Sequence, residues 1–250
     1  MKIDLRGKNI LVTGASRGIG KGIAEALGAS GSRVAVHFHQ NKKGAESIAE
    51  SIGNKSEAFQ ANLEDTESCI QLFNNVIYKF GYLDVLVNNA GVFIMSPIES
   101  ETWINDWNKT LNTNLRSAGL LSRLAILHFQ TRDAGRIINI SSRAAFRGDD
   151  PEHLAYAASK AGMVALTKSI ARGYGKNGIT SFLIAPGWVK TDMNKETIDR
   201  FGEDSITGDL SLNKLTEPKD LAPMVVLLAS GLADHATGAT IDINAGSYAH

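Results

Sequence analysis

The sequence has little cysteine and proline, no long hydrophobic run and no excess of charge of either sign. Its 250 residues contain one cysteine, Cys69, which excludes an internal disulfide framework and a cysteine-ligated metal cluster. No stretch approaches the roughly 18 uninterrupted apolar residues of a membrane span, and residues 1–8 mix charges where a signal peptide has an apolar core. These absences predict a cytoplasmic protein with no membrane partner.

Acidic and basic residues balance at 26 each. A basic excess is typical of proteins that bind nucleic acid or anionic membrane surfaces, so the balance argues against both kinds of partner and favours a small molecule. The six histidines are scattered without ligand spacing, which predicts no metal site. With 43% hydrophobic residues and no Pro- or Ser-rich linker, we expect one domain over residues 1–250.

Short apolar runs alternate with longer amphipathic segments along the chain. The runs have strand length and lack polar alternation, as in parallel strands buried on both faces. They cover residues 10–12, 34–38, 85–87, 137–140, 179–185 and 240–243. Between them, apolar residues at three- and four-residue spacing, such as Ile19, Ile23 and Leu27, predict helices. The pattern predicts an α/β fold with a parallel sheet flanked by helices on both faces.

A glycine-rich turn follows the first predicted strand. Gly14, Gly18 and Gly20 have the spacing Gly-x-x-x-Gly-x-Gly, with Ser16, Arg17 and Ile19 between them. At this place the backbone amides and the helix amino terminus can face a pyrophosphate, and larger side chains would block its approach. Such turns also serve plain structural needs, so the glycines alone leave both interpretations open.

Tyr156 and Lys160 stand four residues apart in an alanine-rich segment that favours helix, which places them on one face. A phenol has a pKa of about 10, so acid–base work near neutrality requires a pKa lowered by about 2–3 units, and a neighbouring ammonium can supply this shift. Fourteen residues before Tyr156, a predicted strand ends in Ser141 and Ser142, where a hydroxyl can bind a carbonyl oxygen or merely form a turn. Asn114 lies within a predicted helix, where an asparagine is commonly just a tolerated polar residue.

Taken in this order, the glycine turn, Asn114, Ser142, Tyr156 and Lys160 resemble the motifs of the short-chain dehydrogenase/reductase family. The resemblance extends over residues 13–246 and includes Asn88-Asn89-Ala90-Gly91 and Pro186-Gly187. It implies a Rossmann-type, doubly wound sheet of seven parallel strands, a homotetramer, and hydride transfer between a nicotinamide and a small-molecule carbonyl or alcohol.

The resemblance also assigns roles to individual residues. It implies that Tyr156 is the acid/base, that Ser142 orients the substrate oxygen, that Lys160 binds the nicotinamide ribose and lowers the tyrosine pKa, and that Asn114 holds a water that relays protons. The residues expected to bind the cofactor are Gly14, Ser16, Arg17, Gly18, Ile19, Gly20, His37, Asn62, Leu63, Asn89, Ala90, Gly91, Tyr156, Lys160, Pro186, Gly187, Val189 and Thr191.

The end of the second predicted strand bears on the choice between NAD(H) and NADP(H). NAD-specific members of the family carry an acidic residue there, but Phe38 stands at about that place and no carboxylate is nearby. Arg17 matches a basic position that faces a 2′-phosphate, and His37 or His39 would assist it. NADP(H) is therefore expected as the preferred cofactor, with NAD(H) possible. The alternative is that Arg17 is a solvated loop residue.

Two positions depart from the family pattern. Asn62 replaces the aspartate that usually binds the adenine amino group, and an amide oxygen can still accept that hydrogen bond without the charge. Ala245 stands where the family more often has a glycine, and the sequence offers no functional reason for it.

Substrate choice is the least determined property. Within the family the chain resembles the 3-oxoacyl-[acyl-carrier-protein] reductases, which implies a 3-oxoacyl thioester and an acyl carrier protein that docks on Arg132 and Arg172. A sugar, polyol, steroid or xenobiotic carbonyl is the alternative, and a catalytically silent nucleotide-binding protein is a third interpretation. Residues 188–215 are polar with scattered glycines and form either a substrate lid or a surface helix with loops. Phe93, Ile94, Phe146 and Arg147 are expected beside the substrate.

Overall fold

A seven-stranded parallel sheet organises the computed structural model, which describes residues 3–191, 202–203, 207–208 and 210–249. The strand order is β3-β2-β1-β4-β5-β6-β7, and every neighbouring pair is parallel. The strands are β1 Asn9–Val12, β2 Arg33–Phe38, β3 Glu57–Gln60, β4 Val85–Asn88, β5 Gly135–Ile140, β6 Ile179–Pro186 and β7 Thr240–Ile243. The expected doubly wound α/β fold is confirmed.

Helices cover both faces of the sheet. They are α1 Gly18–Ala29, α2 Lys42–Ile52, α3 Thr66–Phe80, α4 Trp103–Leu111, α5 Ser117–Gln130, α6 Ala144–Arg147, α7 Leu154–Tyr174 and α8 Pro218–Ser230. A π-helical turn, Asn112–Arg116, joins α4 to α5, and a short 3₁₀ turn, Pro151–His153, precedes α7. Buried residues of α1, α2 and α8 form one core cluster with the sheet, and those of α3, α5 and α7 contribute to a second.

The strand β1 shows why the apolar runs carry no polar alternation. Ile10 and Val12 belong to the cluster under α1 and α8, while Leu11 belongs to the cluster under α3 and α5. All three side chains are fully buried. Successive strand residues point to opposite faces, so a sheet covered on both faces needs apolar residues at every position.

The apolar runs did not predict β3. This strand begins with Glu57 and ends with Gln60, and it pairs only with β2 at the edge of the sheet. Its residues are less buried than those of the central strands, with only Phe59 below a tenth exposed. An edge strand of four residues with polar ends gives no apolar run.

The order of the strands fixes where a ligand binds. The chain leaves β1 toward β2 and β3 on one side, then returns to place β4 on the other side. In such sheets the crevice at the carboxyl ends of the two central strands is the place where nucleotides bind. The turn after β1 and the segment after β4 meet at this crevice.

Part of the expected lid segment lies outside the described residues, namely 192–201, 204–206 and 209. Its two ends are described and are held together: Val189 pairs with Thr216, and the Lys190 N–H donates to the Thr216 carbonyl at 2.8 Å. No helix in the described residues is long and apolar enough to cross a bilayer.

Candidate active site

The glycine turn after β1 leaves no room for a side chain at Gly14 or Gly20. Gly14 and Gly18 have φ of +62° and +55°, the left-handed region that favours glycine. A Cβ on Gly14 would lie 2.9 Å from the Cα of Ala90, and a Cβ on Gly20 would collide with the Gly14 carbonyl. The turn therefore packs directly against the Asn89-Ala90-Gly91 segment after β4.

The amino terminus of α1 is suited to an anion. Its N-cap residue, Arg17, makes no side-chain cap, and the first turn carries no acidic residue. The first amides of a helix have no intrahelical partner and carry a partial positive charge. A glycine cradle that opens onto such a terminus fits the pyrophosphate of a dinucleotide. Ser16, Gly18 and Ile19, at this opening, are partly buried.

Asn89 joins the segment after β4 to the turn. Its Nδ2 donates to the Thr13 carbonyl at 2.8 Å and to the Gly14 carbonyl at 3.2 Å. In return, the Thr13 hydroxyl accepts from the backbone N–H groups of Asn89 and Ala90 at 2.9 and 3.0 Å. The expected cofactor residues Asn89, Ala90 and Gly91 are thus brought against the turn.

Ser142 and Tyr156 meet at the carboxyl end of β5. Ser142 follows that strand and Tyr156 lies in the first turn of α7, where the phenol is close enough to the Ser142 hydroxyl for that group to affect its pKa. Tyr156 keeps some solvent contact, yet the protein packed around it raises the pKa of the phenol to about 12. The Ser142 hydroxyl lowers this pKa and the carboxylate of Asp149 raises it, but both effects are smaller than that of burial.

Lys160 lies one helical turn after Tyr156 and points into the protein. It is 4% exposed, its Nζ donates to the Ile140 carbonyl at 2.9 Å, and it lies 5.7 Å from the centroid of the Tyr156 ring. Burial lowers the pKa of Lys160 to about 8. Desolvation of the phenol outweighs the other effects on its pKa, and the ammonium is bonded to a backbone carbonyl, so the expected lowering of the tyrosine pKa by Lys160 stays a prediction.

Asn114 occupies the π-helical turn and is fully buried. Its Oδ1 accepts from the Val92 N–H at 2.8 Å, and its Nδ2 donates to the Val92 carbonyl at 3.0 Å and to the Ser159 hydroxyl at 3.1 Å. The amide therefore joins the segment after β4 to the helix that carries Tyr156 and Lys160. The expected proton-relay water stays a prediction.

The residues expected to bind the nicotinamide lie at the end of β6 and directly after it. Pro186 is the last residue of that strand and is buried, and Gly187 is partly buried. The Thr191 methyl lies 3.4 Å from a Cβ built on Gly18, so the residues expected at the nicotinamide and at the pyrophosphate face each other. Val189 is 1% exposed, so its expected contact with the cofactor stays a prediction.

The end of β2 lacks an acidic side chain, and Phe38 is buried there at 5% exposure. Arg17 and His39 are exposed beside it. His37 is different: it is 2% exposed, and burial lowers its pKa to about 4, so the ring is neutral at pH 7. The expectation that His37 assists against a 2′-phosphate is therefore wrong, because a buried neutral imidazole offers that group neither charge nor contact.

Asn62 and Leu63 follow β3. The Asn62 Oδ1 accepts from the Glu64 N–H at 3.1 Å and its backbone N–H donates to the Ser68 hydroxyl at 2.8 Å. A carbonyl oxygen has two lone pairs, so one bond to the backbone leaves the amide able to accept from an adenine. Leu63 is 4% exposed and its side chain belongs to the core, so only its backbone is suited to a ligand.

The structure adds His153 and Asp149 to the residues around Tyr156. The His153 ring stacks on Phe93 with centroids 3.9 Å apart, and Phe93 in turn lies edge-on to Tyr156 at 4.7 Å. A carboxylate oxygen of Asp149, one of Asp150 and a ring nitrogen of His153 lie within 4.8 Å of one another. From the sequence, His153 is one of several scattered histidines. Its place three residues before Tyr156 was the available signal.

Arg132 and Arg172 lie far from this site within the subunit. Arg132 follows α5 with its guanidinium 4.2 Å from the centroid of the Tyr82 ring, and Arg172 lies in the last turn of α7. These two helices end just before β5 and β6 begin. Both arginines therefore lie at the amino-terminal ends of the strands, opposite to Ser142. The expected carrier-protein arginines are therefore not brought next to the catalytic residues.

Comparison with known proteins agrees with this geometry. A family model described as short chain dehydrogenase matches residues 8–200. The chain is 36% identical over 247 residues to 3-oxoacyl-[acyl-carrier-protein] reductase of Haemophilus influenzae, covering 98% of this chain and 99% of that protein. It is 38% identical over 248 residues to the protein of that name from Staphylococcus aureus strain Mu50, covering 96% and 98%.

Solved structures are similar over the same length. A blue fluorescent protein from a metagenomic library, in complex with NADPH, has a TM-score of 0.91 at 35% identity, covering 98% of this chain and 100% of that one. A Beutenbergia cavernae protein assigned as an NAD(P)-dependent gluconate 5-dehydrogenase, with bound NADP, has a TM-score of 0.92 at 31% identity and covers 99% of each chain.

Proposed function

Because this chain belongs to the short-chain dehydrogenase/reductase family of NAD(P)-dependent oxidoreductases, we propose that it reduces a carbonyl substrate with NADPH, and that Tyr156 donates the proton. The observation that carries the proposal is the meeting of Ser142 and Tyr156 beside the buried Lys160. Burial keeps the phenol protonated at neutral pH, and a protonated phenol can donate its proton to a carbonyl oxygen.

Ser142, Tyr156 and Lys160 have different tasks in the proposed reaction. The bound dinucleotide supplies the hydride. Ser142 donates a hydrogen bond to the carbonyl oxygen, and Tyr156 transfers its proton to that oxygen as negative charge develops there. Lys160 stabilises the resulting phenolate from within the protein and contributes to the cofactor site beside Gly91, where its Nζ lies 3.5 Å from a Cβ built on the glycine.

NADP(H) is the proposed cofactor, with Arg17 at the 2′-phosphate. The support is the exposed guanidinium beside α1, the buried Phe38 where a carboxylate would select NAD(H), and the NADP(H) in two similar structures. Comparing kcat/KM for NADPH and NADH in the wild type and in Arg17→Gln tests it. We expect an NADPH preference that falls about tenfold or more in the variant, with little change for NADH. A wild-type preference for NADH would contradict the charge argument.

A 3-oxoacyl thioester is the first proposed substrate, because relatives over almost the whole chain carry the name of 3-oxoacyl-[acyl-carrier-protein] reductase. Docking of an acyl carrier protein at Arg132 or Arg172 of the same subunit would not place the thioester near Ser142, so a carrier protein would have to bind across subunits. A coenzyme A thioester has no such requirement.

A sugar or polyol carbonyl is the second candidate. Two carboxylates and an imidazole lie near Tyr156, those of Asp149, Asp150 and His153. The flat Phe93 ring lies beside them. Carboxylates that accept hydrogen bonds next to an aromatic face suit vicinal hydroxyl groups better than an acyl chain.

Following NADPH oxidation with matched panels separates the two candidates. The panels are acetoacetyl-CoA and acetoacetyl-acyl carrier protein on one side, and ketoses and oxidised sugar acids on the other. A kcat/KM at least about tenfold higher on the thioesters supports the first candidate, and the reverse supports the second. NADPH binding without turnover on either panel would contradict the proposed catalysis.

A further inference from the structure

The buried imidazole of His37 lies between the glycine turn and the end of β3. Its Nδ1 accepts from the Gly14 N–H at 2.9 Å, and its Nε2 lies 3.2 Å from the Ala61 carbonyl oxygen. A backbone N–H can only donate and a carbonyl can only accept, so these partners fix the tautomer. The ring carries its proton on Nε2 and holds a lone pair on Nδ1.

The Gly14 N–H belongs to the Thr13–Gly14 peptide group, which is therefore held at both ends. The carbonyl of this group, on Thr13, accepts from the Asn89 Nδ2 at 2.8 Å, while its N–H donates to His37. The residue that follows is a glycine with φ of +62°, which has more backbone freedom than any other residue type. Two side chains, one from β2 and one after β4, thus fix the peptide that begins the turn.

We propose that His37 is a positioning residue for the dinucleotide: its neutral ring holds the Thr13–Gly14 peptide in the orientation that the phosphate-binding turn needs, and so raises cofactor affinity without touching the cofactor. The same ring binds Ala61, next to Asn62, so it also ties the turn to the expected adenine site. Ordering a loop before binding reduces the entropy lost on binding. This inference needs only the NAD(P) dependence of the family and not the proposed substrate.

Two substitutions separate the hydrogen bond from the bulk of the ring. In His37→Asn the amide oxygen takes the place of Nδ1 and can still accept from Gly14, whereas His37→Leu fills similar space without an acceptor. We expect NADPH to bind His37→Asn within about threefold of wild type and His37→Leu about tenfold or more weakly, the ratio for 1.4 kcal/mol, because a buried N–H is left unpaired. The dissociation constant is measured by NADPH fluorescence or calorimetry on the enzyme without substrate, and kcat at saturating NADPH should change little.

His128 supplies a matched control. Its Nε2 also accepts from a backbone N–H, that of Leu83 at 3.1 Å, but this bond lies at the amino-terminal ends of the strands, away from the glycine turn. His128→Leu should lower the Tm without changing the NADPH dissociation constant. If it weakens NADPH binding as much as His37→Leu does, the effect is general destabilisation and the inference is wrong. It is equally wrong if His37→Leu binds NADPH like wild type, or if His37→Asn binds as weakly as His37→Leu.

A measurement on the unmodified protein covers the case in which His37→Leu does not fold. Long-range ¹⁵N–¹H NMR of the histidine side chains reports which ring nitrogen carries the proton. We expect the Nε2–H tautomer for His37 at pH 7, and an Nδ1–H tautomer or a doubly protonated ring would overturn the inference.

Discussion

Tyr156 carries the proposed chemistry, and its removal should separate binding from turnover. Tyr156→Phe deletes only the hydroxyl near Ser142 and leaves the ring edge-on to Phe93. We expect kcat to fall by about 10²–10⁴-fold, the usual contribution of a positioned general acid, while the NADPH dissociation constant stays near wild type. Tyr78→Phe is the control, because Tyr78 is 85% exposed on α3. Near wild-type turnover of Tyr156→Phe would contradict the mechanism.

The buried ammonium of Lys160 should make stability depend on alkaline pH. Burial lowers its pKa from 10.5 to about 8, so between these values the unfolded chain holds a proton that the native protein has released. Unfolding free energy therefore rises with pH across this window, by up to about 3 kcal/mol. Tyr156 acts in the opposite sense from about pH 10 to 12, where the native phenol keeps a proton that the unfolded chain loses.

Urea unfolding at several pH values measures this dependence. Lys160→Met should remove the rise between pH 8 and 10.5, whereas Lys168→Met, an exposed lysine on the same helix, should keep it. An unchanged pH dependence in Lys160→Met would show that burial of the Lys160 ammonium costs little unfolding free energy.

Among the elements, β5 and α7 must be held in register because one precedes Ser142 and the other carries Tyr156. A buried hydrogen bond does this: the Asn139 Nδ2 donates to the Thr167 hydroxyl at 2.8 Å, and that hydroxyl donates to the Met163 carbonyl at 2.8 Å. Thr167→Val keeps the shape and removes the hydroxyl, which leaves Asn139 with an unpaired donor. We expect a loss of about 1–3 kcal/mol in unfolding free energy, with a lower kcat.

Thr180→Val is the matched control for that prediction. The Thr180 hydroxyl on β6 is buried and has no hydrogen-bond partner among the described atoms. Its removal should leave the unfolding free energy unchanged or raise it. Equal losses in the two variants would mean that the Asn139–Thr167 bond adds nothing beyond the general effect of the substitution.

The sequence predicted the elements that depend only on residues close together in the chain. The spacing of Tyr156 and Lys160 needs nothing but a helix, and β1 with its glycine turn is recognised from adjacent residues. By contrast, β3 has polar ends because it is an edge strand, and the π-helical turn at Asn114 depends on bonds to Val92 and Ser159, which are distant in sequence. Burial is also non-local, which is why the raised pKa of Tyr156 could not be predicted.

His37 illustrates the same limit at the cofactor site. The motif around β2 predicted that a basic side chain near its end would face the cofactor. His37 lies within β2 and faces the turn and Ala61 from inside, whereas His39, two residues later, lies beyond the strand end and is exposed. Only the packing of β1, β2 and β3 decides which histidine is buried.

For the whole molecule, we expect a homotetramer that uses the outer faces of α4 and α5. Ile104 on α4 and Leu127 on α5 are 55% and 50% exposed, and Trp103 stacks on Trp107 with centroids 5.1 Å apart. Exposed apolar groups on adjacent helices are typical of a subunit interface. Light scattering after size exclusion should give four times the 26.8 kDa chain mass.

Leu127→Glu should shift this assembly to smaller species, because it places a charge in the expected interface. Tyr78→Glu, on the exposed side of α3, should leave the mass unchanged. A wild-type protein that elutes as a monomer would contradict the expectation of a tetramer.

The single thiol has a practical consequence. Cys69 is 1% exposed and burial raises its pKa to about 11, so at neutral pH it presents almost no thiolate to a maleimide. A cysteine introduced at Leu212, which is 63% exposed, would then take up a fluorophore selectively. The native enzyme thus needs no cysteine removal before site-specific labelling.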